Sequence, residues 1–149
     1  MRVRFLFPAL IALMAAATTA CPAAPAPAVK AVDLTGPWQW EQGQESLDLT
    51  LEQHGNEITG YHSAVGQQGQ KVDEVLEATG KPSITGEIKS NVATVHFRSG
   101  YPDSTGGGTA RLTLRGAYLY WQIIKSDGEH YLPKSARLTR VKVRTPAKP

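Results

Sequence analysis

In the segment SLDLTLEQ, Leu47, Leu49 and Leu51 alternate with Asp48, Thr50 and Glu52. A period of two puts the leucines on one face of a strand and the polar side chains on the other. The turn residues His54-Gly55-Asn56 then lead into EITGYHS, which completes a hairpin. SITGEIK places Ile84, Gly86 and Ile88 on one face, and Lys89-Ser90-Asn91 turns the chain into VATVHFRS, with Val95 and Phe97 inward. TARLTLRG repeats the logic with Ala110, Leu112 and Leu114 in, and Arg111, Thr113 and Arg115 out. Past Gly116, AYLYWQIIK returns with Leu119, Trp121 and Ile123 in; DLTGPWQW opens the series and SARLTRVKV closes it after Ser126-Asp127-Gly128.

The pattern predicts an all-β domain of about eight strands, joined mostly by hairpins, with no segment of helical period. One apolar face per strand, in sequential antiparallel order, is best satisfied by a closed eight-stranded up-and-down β-barrel, because closure removes exposed edges. A β-sandwich is the alternative. An eight-stranded barrel is only just wide enough for side chains to fill, so Trp38, Trp121 and Phe97 are expected to plug the interior. Gly60 and Gly86 at inward positions either open a small cavity or permit strong strand coiling. Two stretches, Ala64 to Pro82 and Gly100 to Gly108, lack strand pattern and read as long loops, the kind that carries function.

The first twenty residues belong to a different class of segment. Arg2 and Arg4 precede the apolar run Phe5 to Ala17, which ends in small residues and is short for a membrane span; this is the pattern of a secretory signal peptide over residues 1–20. Thr18-Thr19-Ala20 in front of Cys21 approximates a bacterial lipobox, with Thr18 in the place of the usual bulky aliphatic. Cys21 is therefore the expected lipidation site, each buried acyl methylene contributing about 0.8 kcal/mol to membrane attachment. The Ala/Pro-rich residues 21–32 read as an extended tether, residues 33–143 as the barrel, and residues 144–149 as a basic disordered tail. The expected location is periplasmic, on a membrane anchor; a soluble exported protein with a free thiol is the alternative. Cys21 is the only cysteine, so no intrachain disulfide forms and the domain must be stable by packing.

Charge adds one asymmetry. Loss of a leader holding Arg2 and Arg4 lowers the formal charge from +3 to +1. Residues 21–129 hold 8 basic and 13 acidic side chains, whereas Lys134, Arg137, Arg140, Lys142, Arg144 and Lys148 make the end basic. A solvated last strand with a basic end accounts for this, and an anionic partner is the sharper reading. Nucleic acid does not suit an exported domain with an acidic body.

The strings LTGPW and ITGYHSAVG resemble the opening Gly-x-Trp strand and the Ser-Ala-Val-Gly turn of the avidin and streptavidin family, and SITGEI and YLYWQI resemble its fourth and seventh strands. The resemblance covers about residues 34–142 and implies an eight-stranded barrel. Carried over residue by residue, Ser63 matches the turn serine, Tyr61 lies one position from the family's tyrosine, and Trp121 takes one place in the tryptophan wall. Trp40 and Gln44 stand where polar ligand contacts are expected, and Phe97 where the fifth-strand tryptophan is. What the resemblance implies is architecture without a retained biotin site. A second similarity, of type, is to lipid-anchored bacterial lysozyme inhibitors, whose Ser-Gly-x-x-Tyr loop enters a hydrolase cleft; here Ser99-Gly100 is followed at once by Tyr101.

Catalytic patterns are sparse. His54, His62, His96 and His130 show no ligand spacing and read as surface or turn residues. Ser63 and Ser99 lie outside any Gly-x-Ser-x-Gly motif. Asp73, Glu74 and Glu77 read as solvated loop charge, and Asp103 as a cap on its own turn in the Gly-rich RSGYPDSTGGGT, a protruding loop with one aromatic. The expected function is therefore a non-catalytic, exported binding module without cofactor or metal. It would meet a protein or envelope partner through Tyr61, Ser63, Ser99, Tyr101, Asp103 and Trp121, with inhibition of a cell-wall hydrolase as its most concrete form. A carrier of a small hydrophobic ligand inside the barrel is the alternative.

Overall fold

The computed structural model describes residues 32–142. The leader, Cys21, the tether up to Ala31 and the basic tail lie outside the described residues. Nine antiparallel strands follow the alternating segments: β1 Gly36–Gln42, β2 Glu45–His54, β3 Glu57–Gly66, β4 Lys71–Val75, β5 Ile84–Lys89, β6 Val92–Arg98, β7 Gly107–Arg115, β8 Tyr118–Asp127 and β9 Ser135–Arg140. Eight of them, all but β4, close into a barrel as β1-β2-β3-β5-β6-β7-β8-β9 and back to β1. The closed barrel, not the sandwich, is the fold.

The extra strand corrects the expected Ala64 to Pro82 loop. The second half of β3 pairs with β4, with His62 opposite Val75, and its first half pairs with β5, with Gly60 opposite Ile84. Strands β4 and β5 are thus two halves of one barrel strand, and Leu76–Ser83 is an excursion that leaves the wall at Tyr61 and returns. It holds a single 3-10 turn, Glu77–Thr79, closed by Gly80 in the left-handed region.

Inward side chains form one contiguous cluster: the leucines of β2 meet Ile58, Val95, Leu112, Leu119 and Leu138, with Trp38, Trp121 and Phe97 among them. Each such side chain, fully buried, contributes roughly 1.5–3 kcal/mol. Gly60 and Gly86 open no cavity. A Cβ at Gly86 would sit 2.2 Å from the Thr94 carbonyl oxygen, and one at Gly60 2.4 Å from that of Thr50. Neighbouring backbone fills the space, so these glycines permit tight strand coiling.

The two ends of the barrel differ. One is closed by the short turns at Gly55-Asn56, Ser90-Asn91 and Gly116-Ala117. Leu34 is buried there beneath Gln53, whose side chain accepts from Leu34 N (3.0 Å) and donates to Val32 O (3.0 Å). Arg140 stacks 4.3 Å from the Trp38 ring at the same end. The opposite end carries the longer connections 67–70, 99–106 and 128–134. Both described termini lie at the short-turn end, which leaves the loop end free.

Candidate functional site

At the loop end the core turns polar. Asp73 is completely buried on the inner face of β4, and its carboxylate accepts four hydrogen bonds. Oδ1 takes Gly100 N (2.6 Å) and His62 Nε2 (3.1 Å), and Oδ2 takes Ser99 Oγ (2.9 Å) and Tyr131 N (2.9 Å). One side chain therefore ties together β3, β4, the 99–106 loop and the β8–β9 connection. Burial alone would raise its pKa, but the bonds from His62, Tyr131, Gly100 and Ser99 reverse the shift and hold it down at about 2.

His62 completes the network from β3. Its Nε2 must carry the hydrogen, because the carboxylate can only accept; Nδ1, 2.7 Å from Ser83 Oγ, then accepts the hydroxyl proton in the neutral ring. Ser83, His62 and Asp73 stand in the order of a hydroxyl–imidazole–carboxylate relay. Their exposures are 3%, 2% and 0%, so no surface offers a substrate carbonyl to the hydroxyl. The arrangement joins the end of the excursion to the loop hub and satisfies every buried polar group in it.

Above the hub lies an aromatic platform. Tyr101 N donates to Ser99 Oγ (3.1 Å), and the Tyr101 and Tyr131 rings meet edge to face at 4.8 Å. Lys71 Nζ donates to Tyr101 Oη at 2.6 Å and sits 4.9 Å from that ring's centre. The Tyr131 hydroxyl donates to Glu129. That bond raises the Tyr131 pKa, as the bond to Tyr101 raises that of Lys71. The platform thus carries a fixed cation, a fixed anion and two half-exposed rings.

The 99–106 loop does not protrude freely. A Cβ at Gly100 would lie 2.0 Å from Glu74 O, and one at Gly106 2.1 Å from Glu129 O. Its glycines allow close packing against β4 and the 128–134 connection, and Ser104 Oγ ties the loop to the Glu129 carbonyl.

Of the residues chosen from sequence, Ser99 and Tyr101 are brought together here, but Ser99 is turned inward to Asp73 and presents nothing to solvent. Asp103 is exposed at the loop tip with φ 61°, a left-handed position that aspartate tolerates. Tyr61 and Ser63 lie on the outer face of β3 beside the excursion, away from the platform. Trp121 is core: its Nε1 donates to Pro133 O (2.9 Å) and its ring tilts against Phe97 at 5.7 Å.

Two expectations are overturned. His62 is not a surface or turn histidine, and Asp73 is not solvated charge, because each sits at an inward strand position with its hydrogen bonds satisfied inside. Lys71, Ser83 and Tyr131 were not marked by the sequence at all. The one available signal was that His62 has the parity of Ile58 and Gly60, which places it on the inner face. Comparison with protein-family models, curated proteins and solved structures gives no match, so this loop end is read from its own geometry.

Proposed function

We propose that this chain is an exported, lipid-anchored, non-catalytic binding module that meets a protein partner of the cell envelope with its loop end. In its most specific form it is an inhibitor or immunity protein of a cell-wall hydrolase. The observation that carries the reading is the Tyr101–Tyr131 platform, held on a fully satisfied buried carboxylate at the end opposite both described termini. Rigid aromatic anchors with a charged rim are what a binding hot spot needs, since little conformational entropy is lost when they engage. The contiguous core cluster, with Trp38, Trp121 and Phe97 inside the barrel, supports an external working surface over an internal carrier site. An anchor at Cys21 would join the domain at its short-turn end and leave the platform facing outward.

The test is titration of the purified mature domain against a lysozyme and a lytic transglycosylase, following cell-wall lysis. Inhibition that Tyr101→Ala weakens at least tenfold, about 1.4 kcal/mol, with an unchanged melting temperature, is the expected result. Inhibition unaffected by that variant would remove the platform, and no inhibition of either enzyme class would remove the inhibitor form. Mass spectrometry of the mature N-terminus checks the anchor: an unmodified Cys21, or cleavage elsewhere, would refute it.

A further inference from the structure

Strand β1 pairs with β9 only at Trp38↔Arg140 and Gln39↔Thr139, and then diverges. Beside this seam the outer wall of β7, β8 and β9 forms a crevice of about 490 Å³, with Trp40 at its β1 edge. Three arginines line it, Arg111 and Arg115 on β7 and Arg137 on β9. The two on β7 are four residues, about 13 Å, apart. Arg137 lies two strands over, in register through Tyr120 with Thr113, which sits between them.

No carboxylate neutralises this group. Strands β7 and β9 contain no acidic residue, and β8 has only Asp127 at its far end. Among the described residues the close acid–base pairs are His54–Glu52 and His62–Asp73. Two of the arginines are instead fixed by rings: Arg115 stacks 5.3 Å from the Tyr120 centre and Arg137 4.8 Å from that of Tyr118. Stacking immobilises a guanidinium while leaving its N–H edges free, which lowers the entropy lost when an anion binds.

The rest of the molecule steers an anion to this wall. Residues 32–89, which build β1 to β5, carry ten acidic and three basic side chains, and residues 90–142 three acidic and eight basic. The barrel is therefore acidic on one half of its wall and basic on the other. Level with Arg111 on β8 and β9 the crevice offers Gln122 and Ser135, uncharged groups that exchange hydrogen bonds with hydroxyls. Tyr120 offers ring surface for stacking, and Trp40, which packs against the core, closes the β1 side.

We propose that the β1/β9 crevice binds an acidic saccharide chain. Guanidinium forks take its carboxylate, sulfate or phosphate groups bidentately, Tyr120 packs against a sugar ring, and the amide and hydroxyl side chains take the hydroxyls. A second copy docking its acidic half here would make an unlike-faced contact that does not close and would build open chains. A saccharide needs no such geometry.

The test is calorimetry of the purified domain at about 50 mM salt with an oligogalacturonate, a sulfated oligosaccharide, a neutral malto-oligosaccharide and polyglutamate. At least one acidic saccharide should bind, with the tighter of the two identifying the anionic group, and the neutral chain should not. Arg111→Gln and Arg137→Gln should each weaken binding roughly tenfold and flatten its salt dependence. Tyr120→Ala should weaken it and leave the salt dependence unchanged. All three sites are at the surface, and unchanged melting curves control for folding. Polyglutamate binding as tightly as either saccharide would overturn the proposal, as would arginine variants that bind normally or no binding of either acidic saccharide. Salt-sensitive self-association of the free protein, abolished by the same arginine variants, would assign the face to a second copy and overturn it too.

Discussion

Four donors on three segments of chain converge on the carboxylate of Asp73, and at the residue scale this is where most of the loop end's order is decided. Removing the charge while keeping the shape leaves donors facing an amide that accepts on one side only. We expect Asp73→Asn to lower stability by on the order of 3 kcal/mol, seen as a fall of roughly 10–20 °C in thermal melting. The same carboxylate sets an acid limit. Its folded pKa, about 2, lies below the ordinary carboxylate value. Its contribution is therefore complete above that ordinary value and is lost as pH falls through about 2. A term on the order of 2 kcal/mol should disappear over that window in wild type and be absent from the pH profile of Asp73→Asn, as chemical denaturation at successive pH values would measure. The sequence concealed this residue because KVDEV inverts the usual pattern: Val72 points out at 52% exposure while Asp73 points in. Only the partners, brought from 11 to 58 residues away along the chain, make an inward aspartate stable.

Among the elements, the instructive one is the strand that leaves the wall and resumes. In the register of β4, Tyr61 would face Leu76; in that of β5 it would face Ser83. Seven residues are thus inserted without disturbing either half. Deleting Leu76–Pro82 and joining Val75 to Ser83 should give a continuous fourth strand and a folded barrel. The cost should be about 1 kcal/mol, because Ser83 would turn to the outer face and leave His62 Nδ1 without its partner. Circular dichroism and melting would check this, and an unfolded product would show that the excursion is part of the core. The other strands were legible because each has a single wet face and hence a clean period of two. Of this one only the β5 half was; β4 was not, because it is five residues long and its inward set, Asp73 and Val75, includes a charge. The Gly-rich segment was legible as a loop, but its glycines mark close packing against Glu74 and Glu129 rather than freedom to move.

At the scale of the whole molecule, the barrel closes through its thinnest ladder. Strands β2 and β3 pair along nine positions from Ser46↔Val65 to His54↔Glu57, whereas β1 meets β9 at two. What reinforces the seam is largely one side chain. Arg140 lies over the Trp38 ring and donates to the carbonyl oxygens of Asp33 (3.0 Å) and Thr35, so the last strand clamps the segment that precedes the first. The basic character of the C-terminal region, visible in the sequence as a run of charge, includes this structural role, which no spacing rule reveals because the partners are about a hundred residues apart. Local opening should follow the thin ladder: backbone amides of β1 and β9 should exchange with a lower opening free energy than those of β2 and β3. Arg140→Ala, which removes the stacking and both carbonyl contacts, should cost roughly 1–2 kcal/mol. That loss should appear as faster exchange concentrated at Trp38, Gln39 and Thr139, with β2 and β3 changing only as global stability changes. Uniform acceleration in all strands would instead mean that the barrel opens as one unit and that the seam is as strong as the rest of the wall.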